Sequence, residues 1–438
     1  MTMPSRSWVL VALVFAFVPA PRADAPGVYA IRGARLVTAS GPVIEAGTLL
    51  IRGGVIDAVG ASAAIPPDAD VIDGTGLTVY PGLIDLGNVR ATDQTPPVQP
   101  QNLRTTADLE RWKRLQIVRP QVRAADIFRV DSADQTQLTA SGITSVLAIP
   151  AGEIFAGQSA LVNVVAPPDP PQIGAITASR RSPAVVHSPV ALHVSFPERL
   201  RAAPSAYPES LMGVIAFVRQ TLLDAQHHAA VRAREQRVKA TERAAADEPL
   251  EALQPMLDRV VPVAFEANES REILRALKMA AEFKLDPIVT GARQAQEVTA
   301  ELKAARARVI FSLNYPTRSR ALAPDADETL AAVRERTTIV KVPAELAKSG
   351  IVFGFASAGL ADPKDFLKNA ARAVKAGLPA AAAVRALTID AARIAGAGER
   401  LGSLEKGKRA NLVVAAGDLF EDGTAIKHVF IDGRLVRH

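Results

Sequence analysis

Residues 77–90 read LTVYPGLIDLGNVR, and the reading of the whole chain turns on them. Thr78, Val79 and Tyr80 are β-branched or aromatic and make a short strand. Pro81-Gly82 breaks it, and Leu83-Ile84-Asp85 begins a second apolar run. The pattern is that of a strand leaving one sheet and entering another.

Upstream, short strands alternate with turns. Tyr29-Ala30-Ile31 and Arg35-Leu36-Val37 flank Gly33. Thr48-Leu49-Leu50-Ile51 and Val55-Ile56-Asp57-Ala58-Val59 flank Arg52-Gly53-Gly54, a hairpin link that accepts positive φ. Such hairpins need partners. The other chain end offers them: Asn411-Leu412-Val413-Val414, then His428-Val429-Phe430-Ile431 and the Asp432-Gly433 turn. Residues 26–80 and 400–438 are therefore expected to build one small β-sandwich, with residues 81–399 inserted between them.

The insert alternates strands and helices, the pattern of parallel β/α units. Strands are expected at 144–149, 260–266, 287–290, 308–313, 338–342 and 352–356, and helices at 271–283, 294–306, 363–376 and 380–395. Asp362 suits a helix start and Gly377 a helix end. Prolines and glycines between 151 and 208 hide the third and fourth strands. Residues 210–246 read as one long helix whose second half is solvated.

The chain has 438 residues, 48% hydrophobic and 22% charged, enough for a large folded core. Its net charge of +6 is spread without basic-aromatic runs, which argues against nucleic acid as a partner. With no cysteine it has neither disulfides nor thiolate metal sites. Arg6, the apolar run WVLVALVFAFV at 8–18 and Ala23-Asp24-Ala25 form a secretory signal pattern over residues 1–25. An exported protein, periplasmic or secreted, is expected, with no membrane segment after cleavage.

The stretch Pro81-Gly82-Leu83-Ile84-Asp85 resembles the opening of the barrel in the amidohydrolase superfamily. Further blocks resemble its imidazolonepropionase-like branch. They are Gly142-Ile143-Thr144-Ser145-Val146 with Gly157-Gln158-Ser159-Ala160, Ala376-Gly377-Leu378 with Ala386-Leu387-Thr388, and the run 401–414, LGSLEKGKRANLVV. The resemblance implies an α/β fold, a TIM-type (β/α)8 barrel set into the composite sandwich. It also implies one or two divalent metals, usually zinc, that activate water. Their ligands would be a His-x-His on the first strand, further histidines and an Asp on the last strand.

This chain departs from that pattern at each place. Gly87 and Val89 stand where the first histidines should be, Glu266 where a fifth-strand histidine should be, and Ser357-Ala358 where the Asp should be. Of the six histidines, His187 and His193 share strand parity but Pro189 interrupts the run. His227 and His228 point about 100° apart on a helix. His428 belongs to the sandwich, and His438 ends the chain. Asp85, Glu266 and Asn268 are expected at the barrel mouth, where a carboxylate pair could act as acid and base. The alternative is that Asp85 bonds backbone at the strand end and Glu266 pairs with an arginine.

The expectation is an amidohydrolase-like protein with a degenerate site that needs no metal cofactor and binds a small molecule or a partner. Two other readings stay open: an active hydrolase of non-peptide carbon–nitrogen bonds in linear or cyclic amides, holding zinc or another divalent metal, and a structural subunit paired with an active relative. Either could assemble as a homo- or hetero-oligomer.

Overall fold

The computed structural model describes residues 27–88, 91–93, 103–166, 184–200, 207–238, 246–319, 321–323 and 325–436. The signal pattern at 1–25, Val89 and His438 lie outside these residues. Among the described residues no helix is long and apolar enough to cross a membrane.

The two chain ends meet in one eight-stranded sheet. The C-terminal strand Leu412–Ala415 pairs antiparallel with Thr78–Pro81, Val413 opposite Tyr80 and Val414 opposite Val79. Tyr29–Leu36 continues the sheet on the other side of Thr78–Pro81, followed by Ile44–Arg52 and Val55–Gly60. The far edge curls back: Ile56 N–H donates to Lys408 O at 2.8 Å and Ala410 N–H to Gly54 O at 2.9 Å. The sandwich is thus one continuous sheet folded over a core that includes Ile31, Leu49, Ile51, Val79, Leu412, Val414 and Phe430. The turns at Gly54 and Gly433 touch, and a Cβ on Gly433 would lie 2.7 Å from Gly54 Cα.

Thr78–Pro81 ends one sheet and Leu83–Asn88 begins the next. Gly82 is the pivot because any Cβ there would lie 2.2 Å from Thr144 Oγ1. Leu83–Asn88 is the first barrel strand and runs parallel to Ile143–Ala148, the second. The third position is a single reversed run, Phe155–Gln158 and Ala160–Asn163, antiparallel to its neighbours on both sides. The fourth is likewise interrupted, Val185–His187 and then Leu192–Val194, with Pro189 between them. These are the strands that the sequence left unplaced. Parallel strands Val263–Ala267, Pro287–Gly291, Arg308–Ser312 and Phe353–Ala356 complete the eight positions. Ile84, Leu86, Leu147, Leu161, Ala264, Ile288, Ile310 and Ala356 fill the barrel interior.

The strand expected at 338–342 is helical. A helix at Leu330–Thr338, a 3-10 turn at Ile339–Lys341 and a helix at Val342–Lys348 take its place. Pro343 sits in the first turn of the last helix, where its missing N–H costs nothing. Ile339, Val342 and Leu346 bury one face at helical spacing, which outweighs the β-branched composition. The helix expected at 294–306 is a 3-10 turn, Ala295–Val298, and a short helix, Thr299–Ala304. That expected at 380–395 breaks at Thr388 into Ala380–Leu387 and Ile389–Ile394, and the Thr388 hydroxyl donates to Val384 O at 2.6 Å.

A polar cluster joins sandwich to barrel. Asn411 Nδ2 donates to Asn163 Oδ1 at 2.9 Å and to Ser145 Oγ at 3.2 Å. Asn163 Nδ2 donates to Asp432 Oδ2 at 2.8 Å, and Asp432 N–H donates to Asn411 Oδ1 at 2.8 Å. Buried polar groups satisfied in this way fix the two units against each other.

Candidate functional site

The parallel strands open at their C-terminal ends onto a cavity of about 360 Å³, the usual place for a site in such barrels. Glu266 on the fifth strand and Asn268 just after it reach it, with Thr290 on the sixth, Arg293 just after that strand and Asn314 after the seventh. Glu266 is open to the cavity but walled by protein. Burial raises its pKa, Glu272 raises it further and Arg293 opposes the rise. Among the described residues it makes no ion pair or hydrogen bond. The expected arginine pairing is therefore not formed as a contact. Arg293 acts from a distance, and its guanidinium lies 3.5 Å from Glu335 instead.

His193 also lines the cavity. Leu192 and Val194 on either side pack outward into the core against the helices, so strand parity turns His193 inward. It is 8% exposed, and its Nε2 has no partner. Burial lowers its pKa to about 4, so it is neutral at pH 7. His187 does not join it. Its Nδ1 meets Arg400 Nη2 at 2.9 Å, and its ring packs over Gly396. The signal for His193 was a lone polar residue between two apolar ones, hidden by the proline-broken stretch before it.

Asp85 is not at the mouth, which corrects that expectation, and the alternative holds: its carboxylate bonds backbone at the strand end. It is fully buried in the seam between first and last barrel strands. Its Oδ1 accepts Ser357 N–H at 2.8 Å and Gly87 N–H at 3.1 Å, and its Oδ2 accepts Asn88 Nδ2 at 3.3 Å. Burial raises its pKa and these donors oppose the rise. The carboxylate is held there because both backbone N–H groups would otherwise lack partners. No Asp85–Glu266 acid–base pair exists.

Ser357 and Ala358 complete the seam. Ser357 Oγ donates to Gly87 O at 3.2 Å and Ala358 N–H donates to it at 3.0 Å. A Cβ on Gly87 would lie 2.7 Å from Ala356 Cβ. The first and last strands, from which the resemblance draws metal ligands, are thus sewn together with no room for a side chain at Gly87. Among the described residues no three His, Asp or Glu side chains gather as a metal site. The described residues do not fit the metal centre that the fold implies.

Residues 297–436 match the model of the amidohydrolase family. The chain also superposes on an amidohydrolase from Thermotoga maritima MSB8 with a TM-score of 0.74 and 21% identity, over 94% of this chain and 100% of that one. A putative prolidase from Bifidobacterium longum gives 0.55 and 18%, over 94% and 95%. An Xaa-Pro dipeptidase with bound methionine gives 0.54 and 14%, over 93% and 99%. The chain has the amidohydrolase fold. No curated protein matches the sequence. In this amidohydrolase-fold protein the family match takes in the last barrel strand and the return to the sandwich. It leaves out the first strand, with Gly87, and the fifth, with Glu266.

Proposed function

We propose that the barrel mouth is a metal-independent ligand site, and that this exported amidohydrolase-fold protein binds a small molecule rather than hydrolysing one. The observation that carries the reading is the contact a Gly87 side chain would make with Ala356, 2.7 Å between Cβ atoms. It removes the place for a first-strand ligand while leaving the cavity beside it open. Glu266, Asn268 and His193 remain there as polar groups with no metal to hold.

Metal analysis with thermal unfolding tests the reading. A metal that binds only the folded chain adds about 2.7 kcal/mol at a hundred times its dissociation constant. For a chain of this size that raises Tm by about 2–3 °C. We expect well under one equivalent of zinc, manganese or nickel in the purified protein, and no shift with zinc or a chelator. The stoichiometry is to be repeated with His227, His228 and His438 replaced. One tight equivalent surviving that control would reject the reading and restore the hydrolase, with His193 the first ligand to examine.

A further inference from the structure

Several of the polar hydrogens around the mouth are spent on the protein itself, although the Arg293 Nε–H is buried there without a partner. Thr290 Oγ1 donates to Phe265 O at 3.3 Å, Ser195 Oγ to Glu153 O at 2.5 Å and Asn314 Nδ2 to Ala358 O at 3.3 Å. What these groups leave facing the cavity is chiefly lone pairs. The Glu266 carboxylate adds more acceptors and makes no contact with a donor among the described residues. The positive charge of Arg293 on the same wall is offset by Glu335, 3.5 Å away. His193, buried and with Nε2 unpartnered, is a further group awaiting a partner. Glu266 is thus a charge at the mouth without an ion pair among the described residues, although the chain as a whole carries +6. A ligand that complements it brings positive charge and several N–H donors.

We propose that the mouth takes a small organic cation, a primary ammonium or guanidinium group held by the Glu266 carboxylate beside the His193 imidazole. The proposal rests on the ligand-site reading above and names the chemistry of that ligand. An ammonium has three donors and a guanidinium five, enough to engage Glu266 and His193 together. A carboxylate ligand would be repelled by Glu266, and the Arg293 it would need is already paired with Glu335.

Calorimetric titration of the full chain tests this, with butylamine, putrescine and agmatine set against butyrate, glutarate and butanol at neutral pH and low salt. The expected result is saturable binding of at least one amine or guanidine and none of the carboxylates or the alcohol. Glu266→Gln, with unchanged melting, should weaken that binding about tenfold or more, as loss of a charge-assisted hydrogen bond does. Glu266→Lys should abolish it by supplying its own ammonium. Amine binding indifferent to both substitutions would overturn the proposal, as would silence from every amine at about 10 mM, which saturates even millimolar sites. Binding of carboxylates alone would overturn the cation assignment yet keep the mouth as a ligand site. Tight stoichiometric zinc would instead remove the ligand-site reading on which it stands.

Discussion

Replacing Gly87 by alanine tests the closed seam directly. The added methyl would lie 2.7 Å from Ala356 Cβ, against an ordinary carbon–carbon separation of about 3.5–4.0 Å. Both carbons are fixed to backbone, so no rotamer separates them. Relief must come from moving strands that Asp85, Ser357 and Ala358 hold by hydrogen bonds. Overpacking of this kind costs about 1–3 kcal/mol. Loss of glycine entropy from the unfolded chain offsets about 0.4–1 kcal/mol, since φ at Gly87 is not in the left-handed region. We expect Gly87→Ala to lose about 1–2 kcal/mol in urea unfolding followed by circular dichroism. With an unfolding entropy of about 2.1 cal/mol/K per residue, that is only about 1–2 °C, so the denaturant midpoint is the better measure. Ala356→Gly removes the opposing methyl and should rescue Gly87→Ala. The double variant should be more stable than the two single losses predict, by about 1 kcal/mol or more. A Gly87→Ala variant as stable as the parent, or one that Ala356→Gly fails to rescue, would refute the steric argument.

Three further outcomes follow from the same structure. His193 has a folded pKa of about 4 against an ordinary 6.5, so the folded state refuses a proton that the unfolded state accepts. Stability from this group is full above about pH 6.5 and is lost as pH falls towards 4, by about 3 kcal/mol in total. A His193→Gln variant should show a flatter acid limb in urea midpoints between those pH values, and an identical limb would mean that the imidazole is not buried neutral. Asn411→Ala strands the Asp432 N–H and leaves Asn163 Oδ1 only the Ser145 hydroxyl as donor, and should cost about 1–3 kcal/mol; an unchanged midpoint would mean that water replaces the cluster freely. Removing residues 411–438 takes away the strand paired with Thr78–Pro81, so hydrogen exchange should quicken in Tyr29–Leu36 as well as in Thr78–Pro81. Unchanged protection there would separate the two chain ends.

The sequence told most where local chemistry and tertiary demand agree. Pro81-Gly82 had to be a break, and the contact of Gly82 with Thr144 shows why glycine stands there. The Gly53-Gly54 turn was equally legible. The helix at 339–348 was not, because Thr338, Ile339 and Val340 favour strands intrinsically and only the buried face of Ile339, Val342 and Leu346 decides otherwise. The reversed third strand was hidden because strand direction leaves no local mark when both faces are buried. In the site, Glu266 and Asn268 were placed at the mouth by their position at the end of a strand. For Asp85 the sequence leaves both readings open for a related reason: position shows that a residue ends a strand but not whether its carboxylate turns to the cavity or back to orphaned N–H groups. The fate of Asp85 depends on Ser357, 272 residues away in sequence.

That long-range bond also bears on whether metal binding could be restored by substitution. Gly87→His with Val89→His, the repair that the sequence suggests, meets the seam before it meets a metal. The histidine at 87 must displace Ala356, and moving that strand strains the bonds from Ser357 and Ala358 to Gly87 O and from Ser357 N–H to Asp85. Parted from Ser357, Asp85 would keep as donors only the Gly87 N–H and Asn88 Nδ2 of its own strand, and losing a hydrogen bond to a buried charge costs about 1.5–3 kcal/mol. Two ligands also fall short of the three that a catalytic site requires. We therefore expect the double variant to unfold at lower urea than the parent and to bind zinc weakly without turnover, as read by equilibrium dialysis and an amide-hydrolysis screen. Zinc-dependent turnover with an unchanged midpoint would mean that the strands part without cost, and the seam would then not be what excludes the metal.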